Sequence, residues 1–335
     1  MLWDIFRLLL VFLLIFALWK LVTLAWAEGA EERVEEKMKE MFSVVETTGD
    51  AALTAPEAQG ILFTGEVNLD ERYNMLVSEA VRDPATCIEG ALLEIFRAAE
   101  LLVGNNACVF NTAAYRDGAY RSAPSNAAFW SGIGADLVSL ANDHADDYGG
   151  NSFSDSGMAL TALDIAVTED VYVAELKQGT VAIISADLTS PAALSACLKN
   201  IRDAEADYII AYVHWGVEGA EEPDAEQRDA AHAIIGAGAD AIIGTHTHIL
   251  QSMEYYAGKP ILYSIGDLWY GSAESESAAV SVRIEEGELR LVLIPCINVG
   301  SRTYIASGER LDAIRTRLNL SETAEIGADG RIFAQ

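Results

Sequence analysis

The stretch AEQRDAAHAIIGAGADAIIGTHTHILQ, Ala225–Gln251, decides the fold. Its first half, AEQRDAAHAIIGAG, repeats apolar residues at helical spacing and ends on glycine, so it predicts a helix. DAIIG, Asp240–Gly244, is a short continuous apolar run, as expected of a strand covered on both faces. A helix feeding a buried strand is one unit of an α/β fold. At the strand's end stand His246 and His248, two of only five histidines in the chain. In an extended segment, spacing i, i+2 points both imidazoles to one face. The stretch therefore predicts two nitrogen ligands leaving a strand end on the same side. His232, inside the helix, is read as structural.

The same unit recurs outward from this stretch. ILFT (Ile61–Thr64), ADLVSL (Ala135–Leu140), DYIIAYV (Asp207–Val213) and PILYSI (Pro260–Ile265) read as further strands. TCIEGALLEIFRAAE and PSNAAFWSGIG read as helices between them. AAVSVRIEEGELRLVLIPCIN reads as a hairpin around Glu286-Gly287, and SGERLDAIRTRLNL as a terminal helix. No internal repeat is visible.

Of the 335 residues, 51% are hydrophobic, enough for one large α/β domain or two small ones. The net charge of -29, from 51 acidic against 22 basic residues, argues against nucleic acid as a partner, because phosphates would be repelled. The four cysteines lack any CxxC spacing and give no zinc-ribbon signal; a disulfide such as Cys87–Cys108 stays open if the domain is exported.

LLLVFLLIFALWKLVTLAWA, Leu8–Ala27, is apolar except for Lys20, and its length suits a membrane-spanning helix of roughly 20 residues. Arg7 precedes it and EGAEERVEE follows, so the expected topology is an N-terminus in the cytoplasm and the bulk of the chain outside. AWA at Ala25–Ala27 also fits a signal-peptidase site, but the long apolar stretch favours an uncleaved anchor. Expected divisions are an anchor over 1–27, an acidic stalk over 28–58, a main domain over 59–310 and a helix with tail over 311–335.

The polar residues gather where the strands end. Glu66 follows the first strand; Asn142, Asp143, His144 and Asp147 follow ADLVSL; His214 and Glu218 follow DYIIAYV; His246 and His248 follow DAIIG; Asp267 follows PILYSI. Ligands of open α/β sheets bind at that edge. Imidazole, carboxylate and carboxamide together suit a transition metal such as Zn, Mn or Fe. Two such ions can activate water for displacement at phosphorus. Each motif has a plainer reading alone: HWG as a histidine packed on an aromatic, NDH as a turn, and Asp267 as a turn cap beside Gly266.

Taken in order, FTGEVNLD, GNNACVF, LANDHADDYG, HWGVE, GTHTHILQ and YSIGDLWYG resemble the motif series of CapA-type poly-γ-glutamate capsule synthesis proteins, a family similar to the calcineurin-like metallophosphatases. The resemblance runs from about Gly60 to Gly271. It implies a layered α/β/β/α sandwich behind an N-terminal transmembrane helix, a divalent-metal cleft, and work on poly-γ-glutamate at the membrane with other capsule-synthesis subunits. Position by position it implies Glu66, Asn142, His214, His246 and His248 as metal ligands and His144 as general acid or base. It implies Arg121, in YRSAP, as an anion-binding residue.

Four positions depart from the family pattern: Glu66 for Asp, Ala107 for Glu, Asp143 for the second Asn of NNH, and Asp267 for Asn. Ala107 offers no donor atom. The departures predict a cleft that binds metal but turns over phosphoesters poorly.

Overall fold

The computed structural model describes residues 60–190, 192–271, 273–320, 325–326 and 332–334. The expected anchor and stalk lie outside the described residues; among the described residues no helix is long and apolar enough to cross a membrane.

The strands, in chain order, are β1 (Ile61–Val67), β2 (Leu101–Asn106), β3 (Val109–Phe110), β4 (Arg121–Ser122), β5 (Leu137–Ser139), β6 (Ala166–Thr168), β7 (Val171–Leu176), β8 (Gly179–Asp187) and β9 (Tyr208–His214). They continue with β10 (Ala241–Thr245), β11 (Met253–Tyr256), β12 (Lys259–Leu262), β13 (Asp267–Trp269), β14 (Ser275–Glu285), β15 (Glu288–Val299), β16 (Arg302–Ile305), β17 (Glu325–Ile326) and β18 (Ile332–Ala334). One sheet runs β17-β18-β15-β14-β1-β2-β5-β6, with β13 beside β1 and β16 beside β15; the other runs β11-β12-β10-β9-β8-β7. In the first sheet β13, β1, β2, β5 and β6 are parallel. In the second, β8, β9, β10 and β12 are parallel. The parallel strands thus bring several carboxyl ends to one edge in each sheet.

Period-two side-chain placement explains the layering. Ile61 and Phe63 of β1 face a core shared with Ile183, Ile210, Tyr212 and Ile243 of the second sheet. Leu62, between them, faces the opposite way onto Leu92, Phe96, Phe129 and Trp130 of helices Gly90–Arg97 and Ala128–Ile133. On the far side of the second sheet, Ile184, Val213 and Ile242 pack on Ile201, Ala231 and Ile234 of helices Ala193–Asp203 and Ala225–Ala237. The result is helix, sheet, sheet, helix, the layering that the family resemblance implies. Tyr212 ties the sheets together: its ring lies 5.3 Å from Phe63, and its hydroxyl donates to the Thr64 carbonyl at 2.7 Å.

Several elements differ from the sequence reading. β2, LLVGNN, is a wholly buried strand, closed by Asn105 and Asn106, that is not among the strands read from the sequence. β7 and β8 pair as an added hairpin, although the VAIIS run inside β8 carries an apolar signal that finds a strand. PILYSI leaves the sheet after Leu262. The helix Gly308–Arg317 is not the last element: the chain returns, and β18 pairs antiparallel with β15. No Cys87–Cys108 disulfide forms; Cys87, Cys108, Cys197 and Cys296 are buried free thiols. Burial pushes the Cys87, Cys108 and Cys296 thiols up to about 12.

Candidate metal centre

Two glycines let the backbone reach the site. A Cβ on Gly65 would lie 1.9 Å from the Gly266 carbonyl oxygen, and one on Gly244 would lie 2.0 Å from that of Tyr263. The ends of β1 and β10 can therefore run hard against their neighbours, and each carries a site residue just beyond its glycine.

The expected extended exit of the histidine pair does not occur. β10 stops at Thr245, and both His246 (φ 91°) and His248 (φ 59°) adopt left-handed backbone. Such conformations cost of order 1–3 kcal/mol each in a non-glycine residue and persist only where the surroundings fix them. The two rings lie 6.4 Å apart and join different clusters. His246 meets His214 and Asp143; His248 meets Glu66 and Asp267. Within each trio the candidate ligand atoms lie within 4.8 Å of one another.

In the first trio, His214 Nε2 stands 2.8 Å from His246 Nδ1 and 2.9 Å from Asp143 Oδ1. The other ring nitrogen of His214 is 3.2 Å from Thr245 Oγ1, whose own proton goes to the Val213 carbonyl. His214 Nδ1 is therefore the donor, and Nε2 presents a lone pair. A lone pair facing a carboxylate oxygen at 2.9 Å is repulsive unless a cation or an added proton lies between them. Burial, and then the neighbouring His214, lower the pKa of His246 and favour its neutral, ligating form. For Asp143, burial works upward, but once such an added proton sits on His214, the hydrogen bond it makes and the charges of His214, His144 and His246 outweigh it. The carboxyl is held well below the usual range.

In the second trio, His248 Nδ1 lies 2.9 Å from Asp267 Oδ1 and 3.8 Å from Glu66 Oε2. Glu66 bridges the two groups: its Oε1 accepts the His246 backbone N–H and sits 3.7 Å from His214 Nδ1. Its Oε2 is buried with no hydrogen-bond partner. A buried carboxylate oxygen left open costs free energy that a bound cation would offset. Burial works to lower His248, yet the Glu66 and Asp267 carboxylates prevail and raise it to about 10. Burial drives Asp267 upward. The orphaned Glu66 oxygen, the opposed His214 lone pair and the mixed imidazole–carboxylate donor set all fit divalent metal ions.

The remaining sequence candidates fall around these trios. Asn142 is buried and fully engaged: its Nδ2 donates to Asn105 Oδ1 at 2.8 Å and to the Asn106 carbonyl at 3.0 Å, and its Oδ1 accepts the His144 N–H at 3.1 Å. A flipped amide would set donor against donor, so this network fixes its orientation. His144 places Nδ1 3.0 Å from Asp147 Oδ2 and turns Nε2 toward Asp143 at 3.8 Å. Burial opposes its charge, but the Asp147 hydrogen bond and the Asp143 charge raise its pKa. Its ring packs 4.3 Å from Tyr120. Arg121 joins neither trio; its guanidinium lies 3.8 Å over the Tyr115 ring. His232 bonds Glu254 at 2.7 Å and stacks on Tyr256, in the structural role read from the sequence.

Asp143 and Asp267 supply one oxygen donor to each trio, although the family motifs pointed to their neighbours or to a different residue type. The signal was present: each is an acid directly after a strand, beside the expected ligands. Asn105, buried at the end of β2 and bonded to Asn142, had no such signal.

The chain matches the family "Bacterial capsule synthesis protein PGA_cap" over residues 60–168 and 166–272. It is similar to "Capsule biosynthesis protein CapA" of Bacillus anthracis, 29% identical over 229 residues, covering 58% of this chain and 55% of that protein. It is also similar to "PGA biosynthesis protein CapA" of Bacillus subtilis strain 168, 30% identical over 157 residues, covering 39% and 41%. The chain thus spans about half the length of the curated relatives it matches. Among solved structures, a hypothetical protein from Thermus thermophilus superposes with a TM-score of 0.49 at 17% identity, covering 71% of this chain and 98% of that chain.

Proposed function

The chain belongs to the bacterial capsule synthesis family PGA_cap, and from that premise we propose that it acts at the cell surface on a capsule polymer of the poly-γ-glutamate kind, through a two-part divalent-metal centre. The observation that carries the reading is the pairing of the two trios, Asp143–His214–His246 and Glu66–His248–Asp267, at the ends of parallel strands. Divalent ions bound there would supply Lewis-acid polarisation and an activated water. The protein's own contribution is positional. Thr245 fixes the His214 tautomer, Glu66 spans both trios, and Asp147 holds His144 so that Nε2 is the nitrogen that gives or takes a proton. In this reading the apolar Leu8–Ala27 segment anchors the chain in the membrane, with the described domain outside and other capsule-synthesis subunits as partners.

A second reading, a metal-bearing subunit that binds polymer without turning it over, is favoured by one observation. Ala107 is fully buried at the position where the motif pattern this chain resembles has a glutamate, so no side-chain donor stands there. One experiment separates the two. Full-length protein in detergent is incubated with poly-γ-glutamate, and separately with a generic phosphodiester, in Mn or Zn and in EDTA. Metal-dependent cleavage that is lost in His144→Ala establishes the enzyme. Metal uptake with no cleavage of either compound establishes the binding subunit. Failure to take up metal at all contradicts both.

A further inference from the structure

Tyrosine rings line one side of the metal centre. They come from three separate segments: Tyr73 from the loop after β1, Tyr115 and Tyr120 from the loop between β3 and β4, and Tyr270 from the exit of β13. Backbone ties bring the segments together. The Asn68 N–H donates to the Trp269 carbonyl at 3.0 Å, which sets the exit of β1 beside that of β13. The Tyr120 N–H donates at 2.6 Å to Asp147 Oδ2, the oxygen that holds His144. Measured between ring centroids, Tyr270 lies 4.3 Å from His248 of the second trio and 6.0 Å from Tyr120. Tyr120 in turn lies 4.3 Å from His144 and 4.7 Å from Tyr73. The Arg72 guanidinium continues the row outward, 5.5 Å from the Tyr73 ring and 4.4 Å from the Tyr115 ring.

Core packing does not account for the outer end of this row. Tyr73 and Tyr115 are 47% and 43% exposed. Contiguous apolar surface left in solvent marks a binding surface, here one that runs into the metal centre. The tyrosine pairs meet at 85° and 86°, the edge-to-face arrangement that fixes each ring against the next. Rings held in this way lose little side-chain entropy when a ligand arrives. The row also carries no free charge, since Arg72 is paired with Asp70 at 2.7 Å. A chain of net charge -29 repels an acidic polymer, so such a polymer is held best through its uncharged part. Successive rings suit a polymer, because every repeat offers them the same planar and apolar surface.

We propose that Tyr115, Tyr73, Tyr120 and Tyr270 form a chain-binding track that leads to the metal centre, and that the track grips the amide and methylene main chain of an acidic polymer rather than its carboxylates. This deepens the capsule-polymer reading and rests on it for the identity of the polymer. The carboxylates stay in solvent along the track, and only the repeat that reaches the trios meets metal.

Full-length protein in detergent is stripped of metal with EDTA and titrated calorimetrically with an oligomer of γ-linked glutamate, with inorganic polyphosphate and with a neutral glucan oligomer. The γ-linked oligomer binds and the other two do not. Tyr73→Ala and Tyr115→Ala, on different loops, each weaken binding about three- to tenfold, the size of one aromatic contact. Tyr73→Phe and Tyr115→Phe stay within about twofold of the wild type, because the ring is kept. Raising the salt from about 0.05 to about 0.5 M strengthens binding, by screening the repulsion between two acidic molecules. Should either alanine variant melt lower than the wild type, Tyr73→Leu or Tyr115→Leu takes its place, keeping apolar bulk without a ring. Ring-free variants that bind as tightly as the wild type overturn the track. So do phenylalanine variants as weak as the alanine ones, which would make the hydroxyl and not the ring the contact. An affinity that falls steeply with salt, or polyphosphate binding as tight as that of the oligomer, means that charge holds the ligand and overturns it too, as does absence of binding by all three compounds. Ring-dependent binding of the glucan, with none of the γ-linked oligomer, upholds the track and overturns the amide chain. Because the titration is done without metal, its failure leaves the metal-centre reading standing, and the reverse also holds.

Discussion

At the scale of single residues, the histidine pair shows how backbone conformation changes what a spacing means. Spacing i, i+2 marked His246 and His248 as ligands in waiting, but it assumed a strand. Left-handed φ values of 91° and 59° instead send the two rings to different trios. Nothing in THTH signals that conformation; the lack of a glycine or asparagine argues against it. It is imposed from outside, by Glu66 taking the His246 N–H and Asp267 taking the His248 ring. The expected consequence is a strain that glycine relieves. In metal-free protein, His246→Gly should be more stable than His246→Ala by about 1 kcal/mol in urea unfolding, since alanine keeps the left-handed penalty and glycine does not. Equal stability of the two variants would mean that the backbone there is relaxed. Asp143 and Asp267 teach the opposite lesson: both stood beside recognised motifs, and only the fold could show that each reaches a trio.

At the scale of elements, the strands that were legible are those whose apolar runs are continuous, such as β9 and β10, because burial on both faces writes itself into every residue. β2 was not legible because it ends in two buried asparagines, satisfied by partners distant in sequence: Asn105 by Asn142, and Asn106 by Trp130, whose Nε1 donates to it at 3.1 Å. The helix Ala225–Ala237 was legible through its apolar spacing and the glycine that closes it; the structure adds an Asp224–Gln227 capping box at its start. What sequence could not weigh was the closeness of β10 to the chain after β12. Gly244→Ala should therefore destabilise the domain by about 1–3 kcal/mol or more, through collision with the Tyr263 carbonyl, and lower metal uptake by shifting the histidines beyond it. Thermal melting and metal content of that variant check the point; wild-type values for both would show that the contact can relax.

At the scale of the whole molecule, the alternation of strands and helices pointed to an α/β fold, and the four-layer arrangement was implied by the family that the motif order resembles. The long return of the chain from Gly308–Arg317 to β18 did not follow, since the pairing of β18 with β15 depends on an edge far away in sequence. The proposed topology is open to a direct check: protease added to intact spheroplasts should remove the C-terminal domain, and complete protection behind an unbroken membrane would contradict it. The central claim is that two trios, and no other histidines, hold the metal. The measurement that tests it most directly is the metal content of the full-length protein, by elemental analysis after reconstitution with Mn or Zn and removal of excess. The wild type should retain about two ions per chain, as paired sites of this kind do. His214→Ala and Asp267→Ala should each lose about one or more, and His232→Ala none. A wild type that retains no ion, or a His232→Ala variant that loses as much as His214→Ala, would contradict the account.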